Sequence, residues 1–402
     1  MTLRLLWGVL VGALVLGAAA QAFAQGLNEV LVQRFSNNCQ GLSGAGILNP
    51  FALNPDYGPK LRALCGTDLF TPTGAAASNG GIIADTPVGS TADEQRIRRR
   101  AEERRAAASA HGDRGFGLFF TTDYERFEKD TTRFESGFDR DTVGGTLGVD
   151  YVLSPSVLLG LAVSYAHEFG DYDGIGGGFD HDSYGALLYT SLSPIPRAFV
   201  DLALGYVRKD YHFERRASIN LPIAGSPSLL ASGETRGNTE SDELRFSVAG
   251  GYDFVFGNIT AGPRVGVHYR DTAIDAFRES GETGLELAYR NQNVVSLTTT
   301  AGVYASMAIS TGFGVIVPQT TVAYVHEFLN DQRSVAFSLV DDLRRRRFLF
   351  ETDPPDRDYL TVALGVALVM PGGITGFANV RELVGYRDRA SHAISLGVRI
   401  AF

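Results

Sequence analysis

From Gly115 to Phe402 the chain repeats one pattern: short segments in which apolar side chains alternate with small or polar ones. A period of two puts successive side chains on opposite faces of a β-strand. The last segment shows it most plainly. One face carries His392, Ile394, Leu396, Val398, Ile400 and Phe402, and the other Ala393, Ser395, Gly397, Arg399 and Ala401. A soluble sandwich strand can alternate in this way, but its arginine would turn to bulk water. A face that is apolar to the last residue, backed by small residues and one arginine, suits a wall between lipid and a polar lumen. Twelve such segments occur, near 115–128, 141–153, 156–170, 180–192, 197–213, 241–256, 258–273, 290–309, 312–328, 356–369, 372–386 and 390–402. Each exceeds the roughly 9–11 residues that a tilted membrane strand needs. The fold class predicted is all-β: a twelve-stranded antiparallel transmembrane β-barrel.

The connections sort by parity. Those after even segments are tight: Ser154-Pro155, Ser193-Pro194-Ile195-Pro196, Gly257, Ser310-Thr311 and Pro371. Those after odd segments are mostly longer: 129–140, 171–179, 214–240, 274–289 and 329–355. Outer-membrane barrels have short periplasmic turns and longer outside loops, whereas a sandwich has no reason to sort them. The inward faces carry Asp150, Glu168, Asp201, Asp253 and Glu327, predicted as lumen acids. Two segments end alike, Tyr165-Ala166-His167-Glu168-Phe169 and Tyr324-Val325-His326-Glu327-Phe328. Alternation sends their Tyr, His and Phe to an outer aromatic girdle, which disfavours a catalytic His–Glu pair on neighbouring positions.

Upstream, Arg4, the apolar run Leu5–Ala20 and the Ala22-Phe23-Ala24 site predict a signal peptide over 1–24. Export makes Cys39 and Cys65 a predicted disulfide, which contributes roughly 3 kcal/mol in the chain-entropy account. Residues 25–70 read as a short helical segment bearing that disulfide, and 71–90 as a Gly/Ala/Ser/Pro linker. Residues 91–112 open with a capping pattern, Thr91-Ala92-Asp93-Glu94, and carry Arg96, Arg98, Arg99, Arg100, Arg104 and Arg105 with almost no apolar stripe. Two readings fit: a solvated linker helix or charge run, and a helix threaded through a polar pore.

The region from about Arg96 to Phe402 resembles the β-domain of autotransporters, the type V secretion translocators of Gram-negative bacteria. The residues that carry the likeness are Gly148-Val149-Asp150-Tyr151, Tyr324-Val325-His326-Glu327-Phe328 and the closing Ser391–Phe402 run. The resemblance implies a twelve-stranded barrel over 113–402 with an N-terminal pore helix. It also implies recognition of the last strand by the barrel-assembly machinery, with Ile394, Leu396, Val398, Ile400 and Phe402 as the assembly signal. Members usually export a long domain, whereas only residues 25 to about 90 precede the pore helix here. Some cleave their passenger at an asparagine inside the barrel, but 91–112 contains none.

The chemistry of enzymes is not legible. No G-x-S-x-G, H-E-x-x-H or P-loop occurs, so no catalytic residue, cofactor or metal is predicted. The Asp171–Asp182 loop is acidic enough for calcium, but a solvated loop explains it equally well. Arg344–Arg347 reads first as a solvated loop, and facing outward it suits lipopolysaccharide phosphate as well. A net charge of −9 argues against nucleic acid as a partner. The expected partners are outer-membrane lipid, lipopolysaccharide and the assembly machinery, with the barrel monomeric. The function expected is a translocator barrel with a short passenger-like segment. The rivals are a resident barrel acting as adhesin or structural protein through loops 214–240 and 329–355, and a small porin.

Overall fold

The computed structural model describes residues 115–402, apart from 133, 175, 222–228, 283–285 and 341–346. Its frame is twelve long strands: β1 (Phe116–Lys129), β2 (Phe138–Ser154), β3 (Val157–Tyr172), β4 (Gly177–Leu192), β5 (Ala198–Leu221), β6 (Leu229–Tyr252), β7 (Ile259–Ile274), β8 (Gln292–Met307), β9 (Gly314–Glu327), β10 (Asp358–Met370), β11 (Ile374–Val384) and β12 (Arg389–Ala401). Phe254–Phe256 and Ile309–Thr311 prolong β6 and β8 into their turns. Each strand pairs antiparallel with the next. β12 returns to β1, from Gly117 opposite Ala401 to Lys129 opposite Arg389. Phe116 N–H donates to the Phe402 carbonyl and Phe402 N–H to that of Phe116, both at 3.0 Å. The sheet therefore has no edge, which is the condition for strands to stand in hydrocarbon without unpaired backbone groups.

The twelve segments expected from alternation are the twelve wall strands, in order. The turns after β2, β4, β6, β8 and β10 are tight. Gly257 and Gly372 take φ of +65° and +84° there, a region where side chains with a Cβ are strained. The other end differs from expectation in detail. Much of the connection expected over 214–240 is a continuation of β5 and β6, which project as one long hairpin. Those after β7 and β9 contain short strands of their own: Phe277–Gly281, Leu287–Tyr289, Ser334–Leu339 and Phe348–Glu351. Two residues of the first pair with Leu287–Tyr289, which pairs with Ser334–Leu339. No helix occurs among the described residues. The signal peptide (1–24), the disulfide-bearing segment with Cys39 and Cys65, the linker and the pore-helix arginines Arg96–Arg105 lie outside them.

Alternation becomes two faces. Leu118, Leu147, Leu161, Leu204, Val265 and Leu364 point out and are exposed, while their sequence neighbours are buried or half-buried inside. An exposed apolar band that runs around the whole wall has a physical reason only if its surroundings are apolar.

Candidate functional site

The site is the lumen, which has three tiers. At the turn end, three inward aromatic rings lie over glycines directly opposite them on the adjacent strand: Phe119 over Gly148, Tyr189 over Gly160 and Phe377 over Gly397. A Cβ on any of these glycines would come within 2.0, 2.0 and 2.2 Å of the ring. Beside them the Arg264 guanidinium sits over Phe199 and Tyr304, 4.6 and 4.7 Å from the ring centres, and donates to Asp253 at 2.5 Å.

The middle tier is lined by small residues and charges. Ser164, Ala166, Ser183, Ala393 and Ser395 border a cavity of about 110 Å³ together with Glu125, Arg140, Glu168, Lys209 and Arg381. Its charges lie in close opposite-sign pairs within the wall. Arg140 Nε lies 3.3 Å from Glu168 Oε2, and His181 Nε2 3.0 Å from Glu168 Oε1. Glu125 accepts from Ser391 Oγ at 2.7 Å and lies 3.6 Å from Arg381 Nη2. Glu243 pairs with Arg245 and accepts from Thr272 Oγ1 at 3.0 Å.

All five sequence-predicted lumen acids face this interior, and each has a wall partner. Asp150 pairs with Arg399, the arginine of the closing segment, at 3.1 Å. Glu168 has Arg140 and His181, and Asp253 has Arg264. Asp201 accepts from Ser191 Oγ at 2.6 Å. Glu327 accepts from Ser296 Oγ at 2.5 Å and from the backbone N–H groups of Leu297, Leu329 and Asn330. The residues expected as the assembly signal, Ile394, Leu396, Val398, Ile400 and Phe402, form an exposed row outside β12.

The loop-end tier departs from the expectation of a wet lumen. Inward Phe138, Phe179, Tyr211 and Phe213 are buried in one apolar cluster with Phe277, Tyr289 and Phe337 from the short loop strands. Burial pushes the Tyr289 phenol well above its ordinary range. The signal was in the sequence: each of β1–β5 carries an inward aromatic residue at its loop end, Phe127, Phe138, Tyr172, Phe179 and Phe213.

A model of the family "Autotransporter beta-domain" matches residues 118–381. The chain belongs to that family. Among solved structures it is similar to the translocator domain of autotransporter NalP from Neisseria meningitidis, with 14% identity, 78% of this chain and 98% of that one covered, and a TM-score of 0.56. It is also similar to the β-domain of the Bordetella autotransporter BrkA, at 17% identity, 72% and 100% coverage and a TM-score of 0.50. No curated protein matches.

As an autotransporter β-domain the barrel belongs in the outer membrane, and its apolar band faces lipid. The tight turns then mark the periplasmic end and the loops the outer end. The upper border of the band is a repeated cluster. Tyr124, Tyr165, Tyr206 and Tyr324 face outward on odd strands, and each phenol donates to an aspartate on the next strand: Asp141, Asp182, Asp242 and Asp358. Two residues on, an arginine or histidine side chain approaches the same carboxylate: Arg126 at 3.3 Å, His167 at 3.1 Å, Arg208 at 3.6 Å and His326 at 2.7 Å. The girdle expected from Tyr165, His167, Phe169, Tyr324, His326 and Phe328 is thus half of a four-fold arrangement. Its sequence signal is Tyr-x-(Arg/His) at the end of four odd strands, three of them spaced 41 residues apart.

Proposed function

We propose that the chain is a translocator that carries its own short N-terminal segment, residues 25–90, through the barrel and then holds residues 91–112 in the lumen as a helix. What carries this reading is the middle tier: a closed twelve-strand wall of the autotransporter type whose interior offers small side chains and paired charges rather than a packed apolar core. A helix polar on every side needs such surroundings. Arg96, Arg98, Arg99, Arg100, Arg104 and Arg105 would join the wall's charge network there, in a confined space where ion pairs are less screened than on an open surface. Residues 1–24 serve as the export signal. The exposed apolar row from Ile394 to Phe402 presents the last strand to the assembly machinery, and the finished barrel is a monomer in contact with lipid and lipopolysaccharide. In this reading the protein performs no covalent chemistry.

The test is protease accessibility of residues 27–90 on intact cells. Digestion without permeabilisation supports export. Protection until the outer membrane is breached assigns the protein to the resident barrels instead.

A further inference from the structure

The outer mouth is covered from inside the wall. The rings of Phe213, Phe277 and Tyr289 stack in sequence, with centres 5.8 and 4.5 Å apart, and Tyr289 reaches Phe337 at 6.1 Å. Phe213 belongs to β5, Phe277 and Tyr289 to the short strands after β7 and Phe337 to one after β9, and all four are buried in one cluster with inward rings of β1–β4. Polar contacts hold the cover down. Arg215 of β5 donates to Glu279 at 3.2 and 2.5 Å, and Glu279 also accepts from Leu287 N–H at 3.0 Å.

Two features separate this cover from the wall. Its backbone pairing to the wall is slight, Thr235–Gly237 with Glu279–Gly281, while Phe277–Arg278 with Ala288–Tyr289 and Leu287–Tyr289 with Phe337–Leu339 are joined within the cover, and Ser334–Phe337 pairs with Phe348–Glu351. The wall strands are joined along ladders of nine or more residue pairs. Its seal is apolar, and an apolar constriction stops water and ions by dewetting rather than by bonding to them. Such a cover can lift without opening the barrel.

The geometry points to a gate at the outer mouth: the strands Phe277–Gly281, Leu287–Tyr289 and Ser334–Leu339 form a lid that closes the lumen against the outside through the Phe213–Phe277–Tyr289–Phe337 row. An exported segment 25–90 would have to cross this mouth, so the closed lid belongs to the barrel before export or without it.

The test uses Ser241→Cys, because Ser241 is buried just beneath the row with its Oγ 3.4 Å from the Tyr211 hydroxyl. The parent chain carries Cys39→Ser and Cys65→Ser, and intact cells receive a membrane-impermeant maleimide. The closed lid leaves the new thiol unlabelled over times that label a surface cysteine. Adding Tyr289→Ala and Phe337→Ala speeds labelling about tenfold or more, since removing packed rings shifts the closed–open balance by at least that factor. Tyr289→Phe, which keeps the ring, stays protected. Heat-modifiable gel migration confirms that each barrel is folded. Should the double alanine chain not fold, Arg215→Gln, which frees Glu279 and leaves the rings alone, carries the same expectation of faster labelling. Prompt labelling in the parent, or equal rates with intact and loosened lids in folded barrels, overturns the gate.

Discussion

Arg399 of the last strand grips Asp150 of the second, across the first. Nη2 lies 3.1 Å from Oδ1 and Nε 3.4 Å from Oδ2, and both side chains are buried in the lumen. The strands they join flank the seam where β12 closes on β1, so the pair ties the closing strand to the opening hairpin. Removing one member of a buried, bidentate pair strands the other charge, which costs about 3–5 kcal/mol. Arg399→Met should lower the urea midpoint of the detergent-solubilised barrel accordingly. The double variant Arg399→Met with Asp150→Leu should recover most of the loss, because it leaves no charge behind. Equal midpoints for the single variant and the parent would remove the clamp.

Gly148 is required for a different reason. Its missing side chain makes room for the Phe119 ring, which an added Cβ would meet at 2.0 Å, with the Leu161 carbonyl oxygen at 2.8 Å on the other side. Overpacking a filled site costs about 1–3 kcal/mol. Gly148→Ala should therefore destabilise the barrel by about that amount in the same urea titration. Gly148→Ala with Phe119→Leu should be milder than the single change. Gly376, whose added Cβ would meet nothing within 4 Å, is the control position and should tolerate alanine.

These two sites show where the sequence could and could not be read. The wall was legible because lipid forces one rule on every strand, and Arg399 stood out against it as the inward charge of an otherwise small-residue face. Loop parity told the two ends of the barrel apart. Which acid meets which base was not legible: Asp150 and Arg399 are 249 residues apart, and only the register across β1 brings them together. The Gly148–Phe119 interlock is a register effect as well, since either residue alone is an ordinary strand member. The lid was hidden differently. Phe277, Tyr289 and Phe337 belong to connections, where alternation is too short to signal a strand, and their burial depends on aromatic rings contributed by five wall strands.

A pH effect belongs to the loop end. Asp173, beyond β3, has its carboxyl pushed above the ordinary range by burial, with Asp139, Asp130 and Glu128 adding to the shift. A raised carboxyl means that the folded loop binds its proton more tightly than the unfolded chain does. Its contribution to stability is then fully present below the unfolded value and is lost as pH rises through the folded one. Protease nicking of the 130–137 and 173–176 loops should be slower at about pH 4 than at about pH 7, and Asp173→Asn should flatten that difference. A protease active at both values is needed, with an unstructured peptide as rate standard.

The cost of a charge outside the wall should depend on height. Leu161 faces out near the middle of the apolar band and is 53% exposed. His167 stands six residues further along the same strand, at the level where Arg126 and Arg208 already occupy the corresponding place on β1 and β5. An arginine costs roughly 2–4 kcal/mol at the bilayer midplane of an outer-membrane barrel and about 0–1 kcal/mol near the interface. Leu161→Arg should accordingly lower folding stability in lipid vesicles by the larger amount, while His167→Arg should be close to neutral and keep its contact with Asp182. The comparison isolates the surroundings, because both positions lie on one face of one strand and share their neighbours' pleat. In a wall bathed by water on both sides the two substitutions would differ by no more than a few tenths of a kcal/mol. A flat response with height would therefore take away the lipid-facing assignment of the whole outer surface.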